Sequence, residues 1–241
     1  CLNHARYMVK TDLLQHDEDE GSAWYTPAGR LAAQSSNLVA SYNVHADDGY
    51  AFDSWMQAPF HASCMLDPRL ARVGFGSYRE ADGGLQMGAV VDVLRGIEAL
   101  PAGVRYPVRW PAAGATIPLL QHWGEHPSPL TSCPGYAAPS GVPVLLLLGD
   151  GAGQPRVGRH SFSSAGVPLE HCVFDEGSYT NPDPMQQELG RAVLSARDTV
   201  VLVPRRPLQA GRRYDVSVTV DGVAYDWSFS VAEVVRQAAG D

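Results

Sequence analysis

The chain has 241 residues, 45% hydrophobic and 18% charged, with 18 basic and 26 acidic residues giving a formal net charge of −8. Such a composition belongs to a soluble globular protein of one large or two ordinary domains, and the acidic balance disfavours nucleic acid or an anionic membrane surface as partner. The longest apolar run, Val142–Leu148, is strand-sized and contains Pro143, well short of the roughly 18–20 residues needed to cross a bilayer.

Ala5, Met8, Val9 and Leu13 recur at helical spacing and predict a first helix over 3–14. An acidic run follows, Gln15-His16-Asp17-Glu18-Asp19-Glu20, with a histidine inside it. Thr26-Pro27 has the form of an N-cap with proline at the first helical position, opening a helix through Ala33. Asp47 or Asp48 caps a third helix that carries Phe52, Trp55 and Met56. Pro59 should end that helix at Ala58, because proline disfavours helical geometry in the residue before it; His61 is then expected on a turn, facing a cleft. Arg72–Tyr78 and Leu85–Leu94 read as strands separated by the turn-forming Asp82-Gly83-Gly84.

Beyond residue 105 helical periodicity fades and Pro and Gly recur every few residues. Short strands are expected at 142–148, 157–162, 169–174, 199–203, 214–220 and 224–231, the last two joined by Asp221-Gly222 as a hairpin turn. Tyr214, Val216, Val218 and Val220 alternate with polar residues, the pattern of a half-buried strand. The whole predicts an α+β chain: an α/β domain over 1–102, then an all-β sandwich over 103–241, with a terminal helix over 232–241.

The four cysteines permit three complete pairings, and none lies at zinc-ribbon spacing. Cys1–Cys64 and Cys133–Cys172 are favoured because each pair then falls within one half of the chain; each loop would contribute about 4 kcal/mol. Disulfides imply an oxidising, extracytoplasmic setting, whereas four buried thiols would fit a reducing one. Cys1 at the start of the chain also fits a lipid attachment point.

Residues 1–95 resemble the CAP superfamily (cysteine-rich secretory proteins, antigen 5 and pathogenesis-related 1 proteins), in particular its bacterial secreted members. Four pieces carry the resemblance in order: His4-Ala5-Arg6-Tyr7-Met8 followed by His16, the segment around Ser36-Asn37, Trp55-Met56-Gln57-Ala58-Pro59-Phe60-His61, and Gly74-Phe75-Gly76. The resemblance implies an α-β-α sandwich whose cleft is lined by His16 and His61. Ser36 stands where the family's Glu-Asn pair has its glutamate, and Ala58 where other branches carry a second one; Glu18 or Asp17 would then supply the acidic member. The second half resembles the Ig-like β-domains of bacterial surface proteins, through Leu202-Val203-Pro204, Gly211, Tyr214-Asp215-Val216 and Trp227-Ser228-Phe229.

Two imidazoles with a carboxylate and water would hold a divalent ion, zinc foremost, or serve as an acid/base pair. Ser35, Ser36 and Ser63 are weak nucleophile candidates, since no Gly-x-Ser-x-Gly elbow surrounds them. His45 beside Asp47 and Asp48 reads as a helix-start residue. His122 and His126 would share a helical face only if Pro127 and Pro129 did not break the segment, and His160 and His171 fall on exposed strands. Arg205, Arg206, Arg212 and Arg213 form a basic patch suited to a solvated strand end or an acidic partner. The expectation is therefore an extracellular or cell-surface binding or structural module of the bacterial envelope, meeting a protein or envelope partner and not nucleic acid. The alternatives are a metal-dependent, peptidase-like hydrolase using His16 and His61, and a subunit of an extracellular assembly.

Overall fold

The computed structural model describes residues 1–233, which fall into two compact units: 1–56 with 68–102, and 57–67 with 103–233. Of the terminal helix expected over 232–241, all but the first two positions lie outside the described residues.

The first unit is α/β. Helix α1 (Leu2–Thr11) and helix α2 (Pro27–Ala33) precede strand β1 (Ser36–Ser41) and helix α3 (Asp48–Met56); β2 (Gly74–Arg79) and β3 (Met87–Asp92) complete it. The sheet runs β1-β3-β2, antiparallel throughout, with Ser36 and Gly74 both opposite Asp92. Ala5 and Met8 of α1 pack on Leu38 and Val90, flanked by Cys1 and Tyr78. The glycine-bearing strand makes this approach possible. A Cβ on Gly76 would lie 2.3 Å from the backbone nitrogen of Leu2, so the α1 backbone sits directly on β2. Helix α2 begins as its sequence requires: extended Thr26 accepts from the Gly29 amide, and Pro27, which has no N–H to lose, takes the first turn. β1 was not anticipated as a strand; its polar ends hid a central Leu38-Val39-Ala40 that the sheet buries on one side.

The second unit is dominated by strands. Helix α4 (Pro59–Met65) comes first, followed by β4 (Val108–Trp110), β5 (Thr116–Ile117), β6 (Gln121–His122), a short 3-10 turn at Pro129–Ser132, β7 (Ser140–Gly141), β8 (Val144–Leu147), β9 (Val157–Ser164), β10 (Val167–Pro168) and β11 (His171–Phe174). Helix α5 (Pro184–Ser195) and strands β12 (Thr199–Pro204), β13 (Arg213–Val220) and β14 (Val223–Val231) close the described chain. One sheet has the order β10-β9-β13-β14-β5, a second β11-β12-β8-β4, and β6 pairs β7. β13 buries Tyr214, Val216, Val218 and Val220 as its alternation requires, and Asp221 and Gly222 adopt the positive φ angles of the hairpin turn. A tryptophan crosses between the two larger sheets: Trp227 Nε1 on β14 donates to the backbone carbonyl of Pro111, just past β4, at 3.0 Å.

Three expectations are corrected. Pro59 does not leave His61 on a turn. It starts a new helix, α4, after an extended Ala58, so His61 is a first-turn helical residue. The segment beyond residue 105 is not purely β, because Asp183 accepts from the amides of Met185 and Gln186 and opens the twelve-residue α5. Of the two favoured disulfides, Cys133–Cys172 is formed, whereas Cys1 and Cys64 are free thiols. Burial pushes the Cys64 thiol up, and Cys1 Sγ lies 3.2 Å from the carbonyl of Gly74.

Candidate functional site

The histidines singled out by sequence belong to different units, His16 to the first and His61 to the second. His16 Nδ1 donates to the carbonyl of Ala33 at the end of α2, 2.8 Å away. Asp17 and Glu20 of its acidic run are both held by Arg30, at 2.7 and 2.6 Å. Glu18, expected as the acidic member of the cleft, has both oxygens bonded elsewhere. Oε1 lies 2.9 Å from Nδ1 of His4, and Oε2 accepts from the amide of Thr26 at 2.9 Å. His4 Nε2 donates to the carbonyl of Gln15 at 2.9 Å. Both neighbours of this ring are acceptors, so the pair is satisfied when the imidazole donates from both nitrogens. Both side chains are wholly buried. They tie α1 to the cap of α2, and a Cβ on Gly29 would lie 2.2 Å from Glu18 Oε1.

Ser36 and Asn37 open β1, both buried. Sequence reasoning placed no carboxylate here, but the antiparallel register sets Asp92 opposite Ser36, and Ser35 Oγ donates to Asp92 Oδ2 at 3.1 Å. Burial works against the charge on Asp92. Hydrogen bonds from the Arg95 backbone and side chain, the Leu94 amide and Ser35 outweigh it and hold the carboxyl below its ordinary range. Only the β-ladder brings residues 36 and 92 together, so no local motif announced the contact.

In the second unit the chemistry centres on Glu125, which sequence reasoning also missed. Its carboxylate is almost fully buried and receives three donors from the first turn of α4: the Phe60 amide (3.1 Å), the His61 amide (3.2 Å) and His61 Nδ1 (2.6 Å). Helix α4 has no side-chain cap of its own, since Ala58 occupies the N-cap. Glu125 supplies that cap from 65 residues away, with its negative charge at the positive end of the helix. By accepting the hydrogen bond from Nδ1–H it also sets the ring's tautomer, so Nε2 carries the lone pair. His122 stands nearby: its Nδ1 donates to the carbonyl of Gln57 at 2.9 Å, its Nε2 is buried without a hydrogen-bond partner, and burial depresses its basicity. Phe60 packs edge-on against Tyr179, and Arg197 pairs with Asp67, both side chains buried.

Of the serine candidates, Ser63 Oγ donates to the Phe60 carbonyl, a helix-internal bond. His45 is exposed, its amide bonded to Asn43 Oδ1. Among the described residues no group of three or more His, Cys, Asp or Glu is placed to hold a metal ion. Nor is any helix long and apolar enough to cross a membrane.

Residues 1–91 match the family model described as CAP, the cysteine-rich secretory protein family. At the family level this match supports the CAP superfamily and points to an extracellular binding or structural module. No curated protein and no solved structure gives a significant match to the chain.

Proposed function

We propose that the protein is a secreted or surface-attached binding and structural module of the bacterial envelope, in which a CAP-like domain (1–102) precedes an Ig-like β-sandwich (103–241). The reading rests above all on how His61 is held. The carboxylate that orients its ring is the same one that caps α4, so the imidazole is built into a helix terminus. A carboxylate already accepting three donors is a poor base toward water, and an imidazole locked to it at a helix start serves the fold before any reaction. The Cys133–Cys172 disulfide supports an oxidising compartment, and the CAP match supports an extracellular one.

The double variant His16→Ala/His61→Ala separates this reading from a hydrolase. Co-sedimentation with isolated bacterial envelopes should change less than about twofold, and neither protein should hydrolyse a fluorescein-labelled casein substrate, with or without added zinc. Zinc-dependent turnover by the native chain that the double variant loses would replace the proposal with a metallopeptidase.

A further inference from the structure

A second pair of histidines lies outside everything described so far. His160 on β9 and His171 on β11 are separated by the β10 excursion, and their strands belong to different sheets of the second unit. His160 Nδ1 and His171 Nε2 face each other at 2.9 Å, with the rings nearly perpendicular and their centroids 5.0 Å apart. His171 Nδ1 is 2.7 Å from the carbonyl of Leu169, an acceptor, so that nitrogen carries the proton and Nε2 carries a lone pair directed at His160. Both strands are restrained. β9 is hydrogen-bonded to β13 through the register partners of His160 and its neighbours, and Cys172, next to His171, is tied to Cys133. Phe162 closes one side of the pair at a centroid distance of 6.2 Å from His171, while His160 is exposed. Glu170, beside His171, is occupied by Arg205.

We infer that His160 and His171 form a two-histidine site for a borderline divalent transition ion such as zinc, nickel or copper, bridging the two sheets. The geometry is close to what an ion needs. Two nitrogens at about 2.0–2.1 Å from a tetrahedral metal lie a little over 3 Å apart, so the nitrogens need part by only a few tenths of an ångström while the rings turn until both lone pairs converge on the ion. The Leu169 carbonyl plays the orienting part that a backbone acceptor plays behind metal-ligating imidazoles. The balance of protons is simple: the hydrogen now between the rings moves to Nε2 of His160, both facing lone pairs go to the ion, and water fills the remaining positions. The exposed edge of His160 gives the ion a way in.

The test is isothermal titration of the full-length protein with zinc chloride and, separately, nickel chloride. One ion should bind per chain. His160→Ala and His171→Ala should each weaken binding roughly tenfold or more, while the control His45→Ala/His126→Ala leaves it unchanged. Long-range nitrogen NMR of the histidine rings gives a readout free of folding effects. His160 Nδ1 and His171 Nε2 should both shift on zinc addition in the native protein, and His160 should change tautomer. No saturable binding by the native protein, binding that survives both single substitutions, or zinc-induced shifts confined to other histidines would each overturn the assignment.

Discussion

Each unit holds one imidazole against one carboxylate, and the two pairs are used differently. In the first unit His4 and Glu18 are sealed from solvent, and all four of their polar atoms are bonded, to each other, to Gln15 and to Thr26. In the second unit Glu125 is equally buried, but His61 keeps 17% of its side chain exposed, and the carboxylate's remaining bonds go to a helix terminus. A closed pair of this kind fixes where two helices meet. The half-open pair holds an imidazole at the surface in one orientation. The same two residue types thus serve as an internal brace in one place and as a mounted surface group in the other, and solvent access decides which.

The sharpest way to break that contrast is to remove the carboxylates. Glu18→Ala strands the His4 ring and the Thr26 amide in the interior, and should cost about 3–5 kcal/mol. The urea midpoint should fall accordingly, and hydrogen exchange should accelerate at Thr26 and Gly29. A loss below about 1 kcal/mol would show that the first pair is no brace. Glu125→Ala should cost less, about 2 kcal/mol, because the His61 ring can turn toward water while only the Phe60 and His61 amides lose their acceptor. Glu125→Gln should recover part of that loss through its amide oxygen. Exchange confined to the first turn of α4 is the signature; uniform acceleration across the second unit would contradict a capping role.

The caps themselves extend the comparison. Thr26 in the first unit and Asp183 in the second do the same job, one under a buried pair and one at the surface. Thr26→Ala and Asp183→Ala should each cost about 1 kcal/mol, with Thr26 the less costly because its backbone amide, kept in the variant, still donates to Glu18, whereas Asp183 accepts from two amides that both lose their partner. Equal losses at the two positions would mean that the retained Glu18 bond lends the turn no support once the threonine hydroxyl is gone.

Much of this was legible in local sequence, and what was not had a physical cause. Thr26-Pro27 announced α2 because cap and first turn are decided within four residues. The β13–β14 hairpin was legible because alternation and Asp221-Gly222 agree. Asp183-Pro184 carries the same signature as Thr26-Pro27, but it stands in a segment whose neighbours read as β. Pro59 reads locally as a stop, although its ring suits a helix start equally well; what selects the start is Glu125, 66 positions on, which no local window contains. Asp92 opposite Ser36 and Glu18 against His4 were hidden for the same reason, since a β-register brings the first pair together and the return of the chain between α1 and α2 the second. The histidines and Glu18 were therefore visible as candidates, but Glu125, Asp92 and the pairing of Glu18 with His4 were not.

The smallest effect distinguishes the interior of the second unit from its surface. Burial depresses His122, so its neutral form is the one the fold prefers. The unfolded chain takes up a proton on this residue near pH 6.5, before the folded protein does. Its contribution is complete above that pH and is lost as the pH falls toward the depressed value in the folded state. Stability should therefore fall on acidification from pH 7 to pH 6, by less than about 1 kcal/mol, with a limiting slope of about 1.4 kcal/mol per pH unit further down. His122→Asn keeps a donor for the Gln57 carbonyl but cannot titrate, so the other ionisable groups cancel in the comparison. Urea midpoints for the two proteins between pH 5 and 8 should converge at the acidic end and separate as the pH rises. Parallel curves would mean that His122 is protonated as easily inside the fold as outside it, and that its unpartnered Nε2 reaches water after all.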